Sequence, residues 1–133
     1  MVKIPQSHVY LFNDEAKAFA ILATLMKDGS PQVTPVWFNF DGAHILINSA
    51  KGRVKDRNMR RNPQIALVIM DPKNPYRYLQ IRGKVIELTT QGGRDHIDAL
   101  SKKYTGSEKY SGGPSSEVRV RYKILPERIS VMG

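Results

Sequence analysis

Seven consecutive residues carry the densest chemistry in the chain. Ser49-Ala50-Lys51-Gly52-Arg53-Val54-Lys55 sets a hydroxyl, a glycine and three cations side by side, and the basic run continues through Arg57, Arg60 and Arg61 to Pro63. Ala43 to Asn48 reads as a strand and Arg53 to Arg61 as a short helix, so the glycine stands where one turns into the other. First-turn amides of a helix have no internal partner and carry the positive end of its dipole. Beside them a serine hydroxyl, the planar fork of Arg53 and the point charge of Lys55 can converge on one phosphate. Arg53, Arg57 and Arg60 recur on one helix side, and with Lys51 they suit a longer anionic tail. Two other readings remain open for such a run: a solvated basic face, or contact with a nucleic-acid backbone. No aromatic residues interleave with it and no helix-turn-helix pattern flanks it, which makes nucleic acid the weaker of the three.

Other reaction types find no residues to carry them. The chain has no cysteine, which excludes disulfides, thiolate catalysis and cysteine-ligated metals. His8, His44 and His96 fall in three separate elements and read as surface or cap residues, and Asp95 and Asp98 as a solvated helix face. An anion cradle without its own acid, base or nucleophile suits a protein that borrows its reactivity from a cofactor. The formal charge of +9 and pI near 9.9 favour an anionic partner. With 133 residues, 41% of them hydrophobic, the sequence predicts one domain over 1–133 with a real core. No apolar run approaches the roughly 20 residues of a membrane span, and polar residues interrupt any signal-peptide core near the N-terminus, so the expectation is a soluble, cytoplasmic protein.

The elements that must position the basic run are mostly strands. Pro5 to Asp14 is expected as a short helix, with Val9, Leu11 and Phe12 making apolar contacts. Phe19 to Met26 and Gln32 to Phe40 flank the turn Lys27 to Pro31, and Asp41-Gly42 leads into Ala43 to Asn48, giving two successive hairpins. Gln64 to Met70 and Arg77 to Thr89 follow, the latter with Leu79, Ile81, Gly83 and Val85 on its packed side. Thr90 to Tyr104 has helical spacing, Thr105 to Ser116 is a turn-rich loop, and Val118 to Val131 is a strand broken at Pro126. This order predicts a mainly β, α+β protein: a six- to seven-stranded antiparallel barrel with short flanking helices.

The succession Asp28-Gly29-Ser30-Pro31, Val33-Thr34-Pro35-Val36-Trp37-Phe38, Ser49 to Lys55, Asn58-Met59-Arg60-Arg61-Asn62-Pro63 and Arg82-Gly83-Lys84-Val85 resembles the pyridoxamine 5′-phosphate oxidase-like split β-barrel superfamily. Its Arg-x-Lys followed by a basic stretch is most similar to the flavin and deazaflavin oxidoreductases that use coenzyme F420. The resemblance implies that Arg53 and Lys55 hold the cofactor phosphate, with Ser49 and the backbone of Ala50, Lys51, Gly52 and Val54 completing the cradle, and Arg60 nearby. It implies that Pro35, Val36 and Trp37 line the ring pocket, and that the protein is a homodimer with cofactor at the subunit interface, where Tyr76 and Tyr78 approach from the second chain. Hydride transfer from reduced F420 to an organic acceptor is the implied activity. An FMN-dependent protein, a non-catalytic cofactor carrier and a nucleic-acid binder are the alternatives.

Overall fold

Alternation of apolar side chains builds the sheet. In the computed structural model, which describes residues 2–133, seven strands form one antiparallel sheet. They are β1 (Ala20–Leu25), β2 (Pro31–Val36), β3 (Phe38–Phe40), β4 (Ile45–Ala50), β5 (Gln64–Asp71), β6 (Asn74–Thr89) and β7 (Arg119–Met132). Helix α1 (Val54–Arg61) joins β4 to β5, and α2 (Gly93–Thr105) joins β6 to β7. Strand order is β2-β1-β5-β6-β7-β4-β3. The two edge strands are consecutive in sequence and separated only by Trp37, so the sheet curls back toward itself as a split barrel.

Leu22, Phe38, Ile45, Ile47, Ile69, Leu79, Ile81, Tyr122 and Ile124 fill the interior, each almost wholly removed from water. Burying each aliphatic side chain among them contributes about 1.5–3 kcal/mol. All six residues of β4 are buried, which includes the polar Asn48 and Ser49 at the end nearest α1. Among the described residues no helix is long and apolar enough to cross a membrane.

Three local expectations are corrected. Pro5 to Asp14 forms two 3-10 turns, Val9–Phe12 and Asp14–Ala16, because Asn13 between them is extended; Leu11 and Phe12 still reach the core. The expected strand over Gln32 to Phe40 divides at Trp37, since its first part pairs with β1 and its second with β4. Pro126 does not break β7. It lies at a register shift beside Gly83, whose missing Cβ would stand 2.3 Å from the Leu125 carbonyl oxygen, so the bulge absorbs the proline.

Candidate functional site

Residues from β2, β4, α1, α2 and β7 meet at the junction between β4 and α1. A cleft of about 420 Å³ opens there, lined by the apolar Phe19, Pro35, Val36, Trp37, Ile97 and Leu100 and by the polar Asn48, Ser49, Arg53, Lys55, Tyr110 and Arg119. The turn that delivers Arg53 needs Gly52 at φ +93°, a left-handed conformation open to glycine at little cost. Asp56, buried in the first turn of α1, clamps it by accepting hydrogen bonds from the Gly52 amide at 2.8 Å, from Arg60 Nε at 3.0 Å and from the Tyr122 hydroxyl. Asn58 and Met59 bury the inner side of the helix, Asn58 donating to Thr24 Oγ1 at 3.0 Å.

This construction leaves a strongly positive corner. Arg53 Nη2 donates to Glu117 Oε2 at 3.3 Å, and Arg119 Nη1 donates to Glu117 Oε1. Burial and then the charges of Arg53 and Arg119 push the Lys55 ammonium below the ordinary lysine range. Three cations against one carboxylate leave 3 − 1 = +2 at the corner, a net positive charge suited to a phosphate group. In its lining Ser49 is 2% exposed and its Oγ has no hydrogen-bond partner among the described residues. Buried polar atoms are rarely left unpaired, and the N-terminus of α1, which begins beside Ser49, adds unpaired amides that favour an anion.

Part of the lining is aromatic. Tyr104 is stacked between Phe19 and Trp37, with ring centroids 5.3 and 5.2 Å away and planes 11° apart in both pairs. Its hydroxyl donates to the Ala18 carbonyl at 2.6 Å, and burial pushes its pKa up to about 12, so it remains a hydrogen-bond donor and not an acid at neutral pH. Tyr110, from the loop after α2, meets Trp37 edge-on at 6.0 Å and lies under the Arg119 guanidinium at 5.1 Å. The Asp98 carboxylate anchors that loop by accepting from the Tyr110 amide at 2.8 Å. Asp98 is therefore buried, contrary to the solvated face expected for it, because the loop folds back over α2.

Of the residues singled out from the sequence, Pro35, Val36, Trp37, Ser49, Arg53 and Lys55 line the cleft. Ala50, Gly52 and Val54 form the turn behind it, while Lys51 is exposed beside it and Arg60 is engaged by Asp56. Tyr76 is 79% exposed, and Tyr78 pairs with Met132 at the far end of β7, so neither reaches the cleft within one chain. Sequence reasoning missed Asn48 and Tyr110 and left Arg119 open between cofactor and solvent; these arrive by cross-strand pairing and loop folding. His8 and His96 are buried rather than superficial: His8 Nε2 meets the Met132 carbonyl at 2.8 Å, and His96 lies between Asn39 and Asn48. Among the described residues no three His, Asp or Glu side chains are gathered to hold a metal.

Residues 12–133 match the pyridoxamine 5′-phosphate oxidase family. A solved structure described as an F420 reductase is 31% identical, with 96% of this chain and 98% of that one covered and a TM-score of 0.82. A Listeria innocua protein provisionally assigned as a pyridoxamine 5′-phosphate oxidase is 23% identical over 94% of each chain, with a TM-score of 0.69. A conserved hypothetical protein of Mycobacterium tuberculosis is 19% identical, covering 98% of this chain and 86% of that one, with a TM-score of 0.72. The last two likenesses speak to the fold alone.

Proposed function

We propose that this chain, which belongs to the pyridoxamine 5′-phosphate oxidase family, is an oxidoreductase whose cleft binds coenzyme F420 by its phosphate and serves hydride transfer to a small organic acceptor. The observation that carries this reading is the convergence of three cations, Arg53, Lys55 and Arg119, on one cleft whose lining includes Ser49 and an apolar wall. Those residues and the first-turn amides of α1 would hold the phosphate, and Pro35, Val36 and Trp37 offer an apolar wall suited to a planar ring. When bound, the reduced deazaflavin supplies the hydride. The chain's own side chains bind, orient and keep water out, work that calls for no protein nucleophile.

Likeness to the F420 reductase favours a deazaflavin over FMN. Lys51 and Arg57, exposed beside the cradle, would meet the acidic tail that F420 carries and FMN lacks. A homodimer belongs to the same proposal, because Tyr76 and Tyr78 can meet a cofactor only from a second copy of the chain. Anaerobic mixing of the protein with reduced F420 and a quinone tests the activity. Protein-dependent oxidation of reduced F420, lost in Arg53→Ala, is expected. Binding without oxidation would make the protein a carrier, and a flavin-loaded protein indifferent to F420 would replace the cofactor.

A further inference from the structure

Behind the anion corner runs a buried chain of side chains whose polarity is fixed at both ends. The Gly93 carbonyl oxygen is an obligate acceptor 2.9 Å from one terminal atom of the Asn48 amide, and Arg119 Nε is an obligate donor 2.9 Å from the other. Asn48 must therefore turn its NH2 toward Gly93 and its oxygen toward Arg119. The same NH2 stands 3.0 Å from His96 Nδ1, which must then accept, leaving the ring proton on Nε2 to be donated to Asn39 Oδ1 at 2.8 Å. A second proton on the ring would point at the Asn48 NH2. Flipping Asn48 to relieve that clash would set its oxygen against the Gly93 carbonyl and its NH2 against Arg119 Nε. No arrangement satisfies the chain with a charged ring.

We propose that His96 is the positioning residue of the anion site: as a neutral imidazole it locks the Asn48 amide, and through it holds the Arg119 guanidinium over the cleft. Its surroundings agree. Burial, then Arg121 and Arg119 of β7, bring the His96 pKa down to about 4, while β3 and β4 present only the amides of Asn39 and Asn48 to it. Gly93 permits the close approach, since a Cβ there would stand 2.1 Å from the Arg119 carbonyl oxygen. Arg119 Nη2 makes no hydrogen bond among the described residues and is left for the ligand.

This inference rests on the phosphate reading of the cleft, and its test separates the two. Proton–nitrogen correlation spectra of the wild-type protein without ligand report the His96 tautomer and the exchange of the Arg119 Nε proton. Expected is a bare Nδ1 and a protonated Nε2 from about pH 8 to about pH 5, with a slowly exchanging Arg119 proton. Titrations of Arg53→Ala, His96→Phe and His96→Gln with F420 and FMN follow. His96→Phe is expected to weaken binding about tenfold and to speed Arg119 proton exchange, and His96→Gln, whose amide can both accept and donate, to recover part of the loss. If Arg53→Ala loses binding while His96→Phe keeps wild-type affinity, the positioning role is overturned. If Arg53→Ala binds as wild type, the phosphate reading fails; a ring protonated on Nδ1 or charged at neutral pH would overturn the role of His96 even so.

Discussion

A buried hydroxyl without a partner costs the folded chain about 1–3 kcal/mol, and Ser49, which has none among the described residues, bears that cost in the lining of the cleft. Ser49→Ala is thus expected to leave thermal stability unchanged or slightly higher while cofactor affinity falls several-fold, measured by paired melting and titration. Asn48→Asp sets one carboxylate oxygen against Arg119 Nε but the other against two acceptors, the Gly93 carbonyl and His96 Nδ1, so thermal stability and anion affinity are both expected to fall although Arg119 keeps a partner. His96 makes a prediction in pH. Its folded pKa of about 4 lies below its ordinary 6.5, so the unfolded chain binds the extra proton first as pH falls. The stability this group contributes is full above about pH 6.5 and is lost progressively toward pH 4, by about 3 kcal/mol. Melting temperatures across that window are expected to fall in the wild type and to change less in His96→Gln. Asp56, held below the ordinary carboxylate range despite its burial, loses its contribution at lower pH still.

At the level of elements, what the sequence disclosed depended on how local the cause was. The cradle was legible because strand end, glycine turn and helix start are contiguous from Ser49 to Lys55, and the hairpins because turn residues separate alternating runs. The division of Gln32 to Phe40 at Trp37 was not, because nothing in that run marks the exchange of one partner strand for another on the far side of the sheet. Asn48 was invisible as a site residue, and Arg119 could not be placed at cofactor or in solvent, for a similar reason: Ala50 pairs with Arg119 and Asn48 with Arg121, a register set some seventy residues apart in sequence. One signal was available in Asn48 and Ser49, polar residues ending a run that reads as a fully buried strand. Gly93 ties α2 to β7 and to the site together. Gly93→Ala is expected to destabilise the protein by about 1–3 kcal/mol, because the methyl would collide with the Arg119 carbonyl, and denaturant unfolding measures it.

For the whole molecule, the excess of +9 takes on a location. Arg53, Lys55 and Arg119 line the cleft, with Lys51 and Arg57 exposed beside them, so cofactor binding is expected to weaken with salt as surface attraction is screened. The curled sheet positions most of this arrangement, and the loop after α2 adds Tyr110 to the cleft's lining. Sedimentation of the protein with and without cofactor tests the proposed homodimer, a dimer mass being expected and a monomer mass leaving Tyr76 and Tyr78, at the end of the sheet away from the cleft, without a cofactor to meet. The most direct test of the phosphate cradle is an equilibrium titration of wild type and Arg53→Ala with F420, and in parallel FMN, at low and high salt. Saturable, salt-sensitive F420 binding of one per chain, weakened roughly tenfold or more by Arg53→Ala, is the predicted result. Equal affinity in the two proteins, or no binding of either cofactor, would contradict it.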